Sequence, residues 1–297
     1  MINSVEKAAV LVEALPYMQK FNGKTIVVKY GGNAMINPEL KNSVIQDIVL
    51  MKYVGMRPVV VHGGGPEITA LLKQLGKQSS FVSGLRVTDA ETVEAAEMVL
   101  VGKINTEIVN LLNRHGGRAV GLNGKDADLI VAKKHFATVY EGGEPKQVDI
   151  GYVGDVAAVQ PGILDTLLEN GYTPVIAPVG VGPDGGTYNI NADYVAGEIA
   201  GALRAEKLLL LTDVPGIYED YPRQETFVST LTVDRAKTMI AAGSIDGGMI
   251  PKVEACLKAL AGGCVKTHII DGRQPHSLLL EVFTDKGIGT EVVREEE

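Results

Sequence analysis

Short, unbroken apolar runs recur along the chain, and most end in glycine or a small polar residue. Thr25–Tyr30, Arg57–His62, Thr173–Ala177, Lys207–Thr212 and residues 265–270 are rich in Val, Ile and Leu and show no polar alternation. A half-solvated strand alternates with a period of two, so continuous runs of this length read as strands buried on both faces of a parallel sheet. Between them the period changes to that of a helix. Leu40, Val44, Ile45, Ile48 and Val49 share one face of a helix over 38–54. Further helices are predicted at 66–75, 104–115, 163–169, 192–203, 233–241, 251–260 and near Ser277, with a short strand at 119–122. Thr88 and Glu91 have capping-box spacing and start a helix over 88–101. Between 129 and 156 short alternating runs predict hairpins at an edge, and 179–188 reads as a glycine-rich hairpin.

Helix–strand alternation of this kind predicts a three-layer αβα sandwich with a mainly parallel, open, doubly wound sheet. Two lobes are expected, over 23–180 and 181–297. Ligands of such sheets sit beyond the C-terminal ends of the strands. The loops there are 29–33, 62–65, 212–216 and 271–272.

Ahead of the first strand, Val5, Ala8, Val12 and Leu15 recur at helical spacing, and Asn3 with Glu6 can form a capping box. This helix, within 1–22, either packs on its own domain or docks on another subunit. Glu6, Lys7 and Glu13 interrupt any signal-peptide core, and no window approaches the ~20 apolar residues of a membrane span.

Composition narrows the partners. Apolar residues make up 45% of the chain, enough for a sizeable core, and 35 glycines far exceed the usual share of roughly 7%. A net charge of −8 argues against nucleic acid. Cys256 and Cys264 are too few for a disulfide framework and fit a reducing cytoplasm. No His-Glu-x-x-His or Cys/His cluster exists, so no protein-held metal is expected. The three spaced glycines of a dinucleotide fold are absent. Gly23-Lys24-Thr25 only resembles the end of a P-loop, because Met18 stands where a glycine belongs. Protein-kinase and α/β-hydrolase signatures are missing.

What remains is cations beside bare backbone. Lys29 ends one strand ahead of Gly31 and Gly32, and His62 leads into Gly63, Gly64 and Gly65. Lys252 opens a helix after Gly247-Gly248-Met249-Ile250-Pro251. Glycine N–H groups, a helix N-terminus and two ammonium groups suit phosphoryl transfer, which needs alignment and positive charge over the moving group. His62 reads as structural, and Met249 as a packing residue.

Six stretches match one family in order: Val28-Lys29-Tyr30-Gly31-Gly32-Asn33-Ala34-Met35, Val60-Val61-His62-Gly63-Gly64-Gly65-Pro66-Glu67, Gly84-Leu85-Arg86-Val87-Thr88, Asn189-Ile190-Asn191-Ala192-Asp193, Leu211-Thr212-Asp213 and Gly247-Gly248-Met249-Ile250-Pro251-Lys252. On these the chain resembles the N-acetylglutamate kinases of the amino acid kinase family. The resemblance implies ATP, with nucleotide-bound Mg²⁺, as phosphoryl donor and N-acetyl-L-glutamate as acceptor. By the same resemblance Lys29 and Lys252 would stabilise the transition state, and Asp193 would hold them. Gly64, Gly65, Arg86 and Asn189 would bind the acid. Thr212, Asp213 and Gly216 would border the nucleotide, while Gly31 and Gly32 are expected at its phosphates from their bare backbone N–H groups alone. The stretch from His268 to Thr290 further resembles arginine-inhibited members, which assemble as hexamers through an N-terminal helix. There His268, Glu281 and Gly287 would belong to an L-arginine site, and a nitrogen-regulatory protein is a conceivable partner. Two other readings stay open: a kinase of a related small acid, and a metabolite sensor without catalysis.

Overall fold

The predicted core strands lie side by side. In the computed structural model, which describes residues 3–141, 144–221, 223–285 and 287–295, eight strands form one sheet. Their order is Thr230–Thr232, Thr290–Val293, Lys266–Asp271, Lys207–Thr212, Thr25–Tyr30, Arg57–His62, Thr173–Ala177 and Ala119–Asn123. Neighbours are parallel throughout except Lys266–Asp271 with Thr290–Val293.

Residues that alternate along each strand enter different cores. Val27, Val61, Leu208, Leu210 and Ile269 face one, while Ile26, Val28, Val60, Leu209 and Ile270 face the other. The first core is closed by helices Ala192–Ala202 and Ile250–Gly262, the second by Pro38–Tyr53, Gly65–Gln74 and the long helical rod over 90–114. This is the three-layer sandwich expected from the continuous runs. Each fully buried Val, Leu or Ile contributes roughly 1.5–3 kcal/mol, so the sheet interior is the main source of stability.

Only the second half of the N-terminal segment packs on its own chain. Its first two residues, Met1 and Ile2, lie outside the described residues. The Asn3–Glu6 capping box forms in both directions at 2.9 and 2.8 Å. Helix Ser4–Glu13 leaves Val5, Leu11 and Val12 at least 67% exposed. Helix Leu15–Phe21 packs on its own chain: Phe21 is buried, Tyr17 hydrogen-bonds Asp285, and its ring meets Phe283 edge-on at 6.4 Å.

Three local expectations are corrected. The helix expected at 88–101 starts at Ala90, and its cap is Asp89, whose carboxylate accepts from the Thr92 N–H at 2.9 Å. Thr88 is unavailable because its backbone bridges Gly151 and its hydroxyl donates to the Arg86 carbonyl at 2.8 Å. The two helices expected over 88–115 are one rod, Ala90–Glu97 and Thr106–Arg114 joined by a π-helical stretch, Met98–Asn105. The edge hairpins are one long bulged pair, Ile130–Glu141 with Glu144–Val159, closed into a barrel by Val179–Val181 and Thr187–Ile190. No helix among the described residues is long and apolar enough to cross a membrane.

Candidate active site

The strand ends converge because the sheet is parallel. Lys29 stands opposite Val61 and Leu210, so the loops after three adjacent strands open on the same edge. Lys29 itself is buried. On the facing helices, Asn191 caps Ala192–Ala202 by accepting from the Asp193 N–H at 2.7 Å, which fixes Asp193 in the first turn. Lys252 occupies the first turn of Ile250–Gly262. A cation there opposes the helix dipole by about 0.3–1 kcal/mol, so the position needs a compensating anion.

Close helix packing supplies it. A Cβ at Gly197 would lie 2.5 Å from the Ala255 carbonyl oxygen, and one at Gly201 3.1 Å from the Gly262 Cα. Glycines one turn apart thus let the two helices cross backbone to backbone. Asp193 then reaches both lysines: Lys252 Nζ donates to its Oδ2 at 2.9 Å, and Lys29 Nζ lies 3.1 Å from its Oδ1. The Lys29 contact is an ion pair off the hydrogen-bonding axis, so buried Oδ1 has no aligned donor.

The electrostatics are those of a dry, coupled cluster. Burial lowers the Lys29 pKa below the usual lysine value, with Asp193 pulling it back and Lys252 pushing it down further. Burial alone would raise the Asp193 carboxyl, but the Lys29 and Lys252 ammonium groups overcome it and hold it ionised below the usual range.

Two cavities meet at this cluster. One, of about 260 Å³, is lined by Lys29, Gly64, Gly65, Arg86, Asn189 and Asp193. The other, of about 420 Å³, is lined by Thr212, Gly216, Tyr218, Gly248, Met249 and Lys252. In the first, one Arg86 amino group donates to the Gly65 carbonyl at 2.9 Å and to Thr69 Oγ1 at 2.8 Å. The other bonds Ser79, and the guanidinium stacks 4.8 Å from the Phe81 ring centroid. The fork is therefore fixed before any ligand arrives. In the second, Met249 also packs on the core, so it both lines and supports the cavity.

The glycine loop after the first strand is tied to the same place. A Cβ at Gly31 would fall 2.7 Å from Lys29 Nζ. Gly32 has φ +68°, and a Cβ there would meet the Asp213 carboxylate at 2.7 Å. Asp213 accepts from the Asn33 N–H at 2.8 Å and so holds this loop, whereas its neighbour Thr212 faces the second cavity.

A second polar cluster lies away from this edge. His268 Nδ1 meets Glu281 Oε1 at 2.7 Å, and Glu281 Oε2 accepts from the Ile288 N–H at 2.9 Å. Gly287, at φ +58°, passes so close that a Cβ would lie 2.6 Å from Glu281 Oε2. Sequence reading missed Lys207, whose ammonium donates to His268 Nε2 at 3.0 Å. That bond requires Nε2 to be the bare nitrogen, so Nδ1–H donates to Glu281. Burial lowers the His268 pKa, which keeps the ring neutral. Burial would raise Glu281, but His268, the Ile288 N–H and Lys207 outweigh it.

A model of the amino acid kinase family matches residues 24–271, which takes in both cavities and the lysine–aspartate cluster. The chain belongs to the amino acid kinase family. An acetylglutamate kinase from Moorella thermoacetica is 60% identical over 292 residues, covering 98% of this chain and 99% of that protein. Among solved structures, an N-acetylglutamate synthase from Neisseria gonorrhoeae, complexed with coenzyme A and N-acetyl-glutamate, superposes with a TM-score of 0.82 at 27% identity. This chain is 98% covered in that comparison but spans only 64% of the synthase. A carbamate kinase from Giardia lamblia bound to AMP-PNP shares the fold, with a TM-score of 0.66 at 16% identity over 92% of this chain and 99% of that one.

Proposed function

We propose that this chain transfers the γ-phosphoryl group of ATP to the γ-carboxylate of N-acetyl-L-glutamate, an early step of arginine biosynthesis in the cytoplasm. The observation that carries the reading is the sharing of one buried carboxylate by Lys29 and Lys252 at the junction of two cavities. The near-full-length likeness to an acetylglutamate kinase supports the choice of acid.

The side chains suit the chemistry. A γ-carboxylate, with a reference pKa of ~4.3, is ionised at neutral pH and needs no general base. The barrier lies in bringing two anions together. Lys29 and Lys252 supply positive charge from opposite sides, and Asp193 holds both ammonium groups in place. Arg86, held by Gly65, Thr69 and Ser79, offers its positive charge and its remaining N–H groups to a second carboxylate of the acid. Gly64 and Gly65 N–H groups and Asn189 bind the rest of it. The second cavity fits a nucleotide: Gly216 and Gly248 let phosphate approach the backbone, and the Ile250–Gly262 N-terminus adds partial positive charge. Mg²⁺ would enter on the nucleotide and neutralise phosphate charge. In this division residues 23–180 supply most of the acid site and 181–297 the nucleotide site.

The test is ATP turnover with N-acetyl-L-glutamate against unacetylated glutamate. We expect kcat/KM for glutamate to be at least about tenfold lower, since a site that hydrogen-bonds the acetamide leaves polar groups unpaired without it. Equal rates sink the specificity, and no turnover with either favours a sensor.

Feedback by L-arginine and a hexameric assembly belong to the same proposal. The Lys207–His268–Glu281 cluster and Gly287 offer a carboxylate for a guanidinium. Helix Leu15–Phe21 is anchored beside that segment through Tyr17, Phe283 and Asp285, and exposed Val5, Leu11 and Val12 present an apolar face to a second subunit. Millimolar arginine is expected to raise the KM for N-acetyl-L-glutamate about fivefold or more, a coupling of at least about 1 kcal/mol. Deleting residues 1–21 should abolish that rise while leaving turnover. Steady-state kinetics with and without arginine decide it, and an unchanged KM in the full chain removes the regulatory reading.

A further inference from the structure

His62 is fully buried at the end of its strand and takes no part in the chemistry above. Its two ring nitrogens are nevertheless both engaged. Nδ1 lies 2.8 Å from the carbonyl oxygen of Gly63, the next residue, and Nε2 lies 3.2 Å from Asn105 Nδ2. A carbonyl oxygen can only accept, so Nδ1 carries the proton and donates to it. Nε2 is then bare and accepts from the Asn105 amide. Asn105 is itself pinned to the sheet. Its amide also donates to the Val175 carbonyl at 2.9 Å, and a Cβ at Gly121 would lie 2.0 Å from its Oδ1.

The segment that presents Asn105 is unusual. It ends the π-helical stretch Met98–Asn105, and π-helical turns are rare and concentrate at functional sites. The same stretch touches the glycine loop a second time. A Cβ at Gly64 would fall 2.5 Å from Ile104 Cδ1 and 2.7 Å from Leu100 Cδ2. Leu100 and Ile104 thus press on Gly64 from below while Asn105 fixes His62 alongside. The Gly63 carbonyl and the Gly64 N–H belong to one rigid trans peptide and point in opposite directions. Holding the carbonyl therefore sets where the Gly64 N–H points, and Gly64 lines the acid cavity.

We propose that Asn105 is a positioning residue that acts through the Nδ1–H tautomer of His62 to orient the Gly63–Gly65 backbone for binding the acidic substrate. This rests on the assignment of the smaller cavity to the acid. Burial, only partly opposed by the Gly63 carbonyl, pushes the His62 pKa down to about 4, so the ring is neutral at pH 7 and its tautomer is well defined.

Two readouts test it. The first is the ¹⁵N–¹H correlation spectrum of histidine-labelled wild-type protein at pH 7, with the His62 signals assigned by their loss in His62→Gln. The Nδ1–H form is expected; an Nε2–H ring or an imidazolium overturns the proposal. The second is steady-state kinetics of Asn105→Asp, which faces Nε2 with a group that can only accept, so that His62 must place a proton there. The KM for N-acetyl-L-glutamate should rise about tenfold, the loss of one good hydrogen bond, with the KM for ATP within about twofold. Asn105→Ala, which removes the donor without adding charge, should move the same constant by less. A loss of kcat alone, or an equal rise of both KM values, marks a merely structural role and overturns it. Should wild-type protein fail to turn over this acid, the functional reading falls, while the tautomer still decides the arrangement of His62. The spectrum also decides it if the aspartate variant does not fold.

Discussion

Replacing Lys252 by methionine is expected to lower kcat about a thousandfold while leaving the KM for the acid within a few-fold. Methionine keeps most of the aliphatic volume, so the helix Ile250–Gly262 should stay in place over its buried Val253, Cys256 and Leu260. What disappears is one of the two positive charges proposed to bear on the transferred group. A cation placed against a phosphoryl in flight is worth about 10³–10⁵ in rate in comparable enzymes. The site magnifies such a charge because it is dry: the side chains of Lys29, Lys252 and Asp193 are no more than 15% exposed. Arg86 and the Gly64–Gly65 loop are untouched, so ground-state binding of the acid should survive. A fall in kcat and kcat/KM together, without a matching rise in KM, is the signature of an interaction made mainly in the transition state. Lys29→Met should behave alike from the other side. A loss of less than about tenfold in either variant would mean that the shared carboxylate organises something other than catalysis.

The strands and their glycine ends were legible because both signals are local. A continuous apolar run can only be a doubly buried strand or a short buried helix, and the glycines that follow Tyr30 and His62 resolve the ambiguity. The helix caps were legible for the same reason, and the Asn3–Glu6 box formed as read. Thr88 shows where this fails. Its spacing to Glu91 is that of a capping box, yet a bridge to Gly151, far along the chain, takes its backbone and leaves the cap to Asp89. The π-helical stretch had no local signature either, and the expected helices over 88–101 and 104–115 left a gap that it spans. Short strands such as Thr230–Thr232 and Thr290–Val293 are too brief for a period to show.

Within the site the chemistry-bearing residues were legible as types in context, but their pairing was not. Lys29, Asp193 and Lys252 lie on three elements far apart in sequence. What joins them is the close crossing at Gly197 and Gly201, two glycines that in sequence look like weak points of a helix. Asp213 reads as a nucleotide neighbour, while its carboxylate is committed to the Asn33 N–H. Lys207, within an almost pure leucine strand, gains its meaning only from His268 on the adjacent strand.

Asp193→Asn should then produce activity and stability that respond to pH in opposite directions. In the native protein burial lowers the Lys29 pKa, and Asp193 is the largest influence restoring it. A neutral amide removes that influence, so the Lys29 pKa falls further toward neutrality. Lysine loses its charge as pH rises, and a lower pKa brings this loss to lower pH. The variant should therefore be impaired by about 10²–10³ in kcat at pH 8, within the range known for lost transition-state charge. It should recover part of the deficit relative to wild type as pH is lowered toward 6. Stability moves the other way. Breaking a buried ion pair by removing one partner costs about 3–5 kcal/mol, because the remaining charges are uncompensated. Between the lowered folded pKa of Lys29 and its unfolded value near ~10.4 the unfolded chain binds more protons, so stability rises with pH across that window. Thermal melts and kcat measured between pH 6 and pH 9 should cross in trend, the melts improving as the rate declines. Parallel profiles for variant and wild type would show that Asp193 does not govern the charge on Lys29.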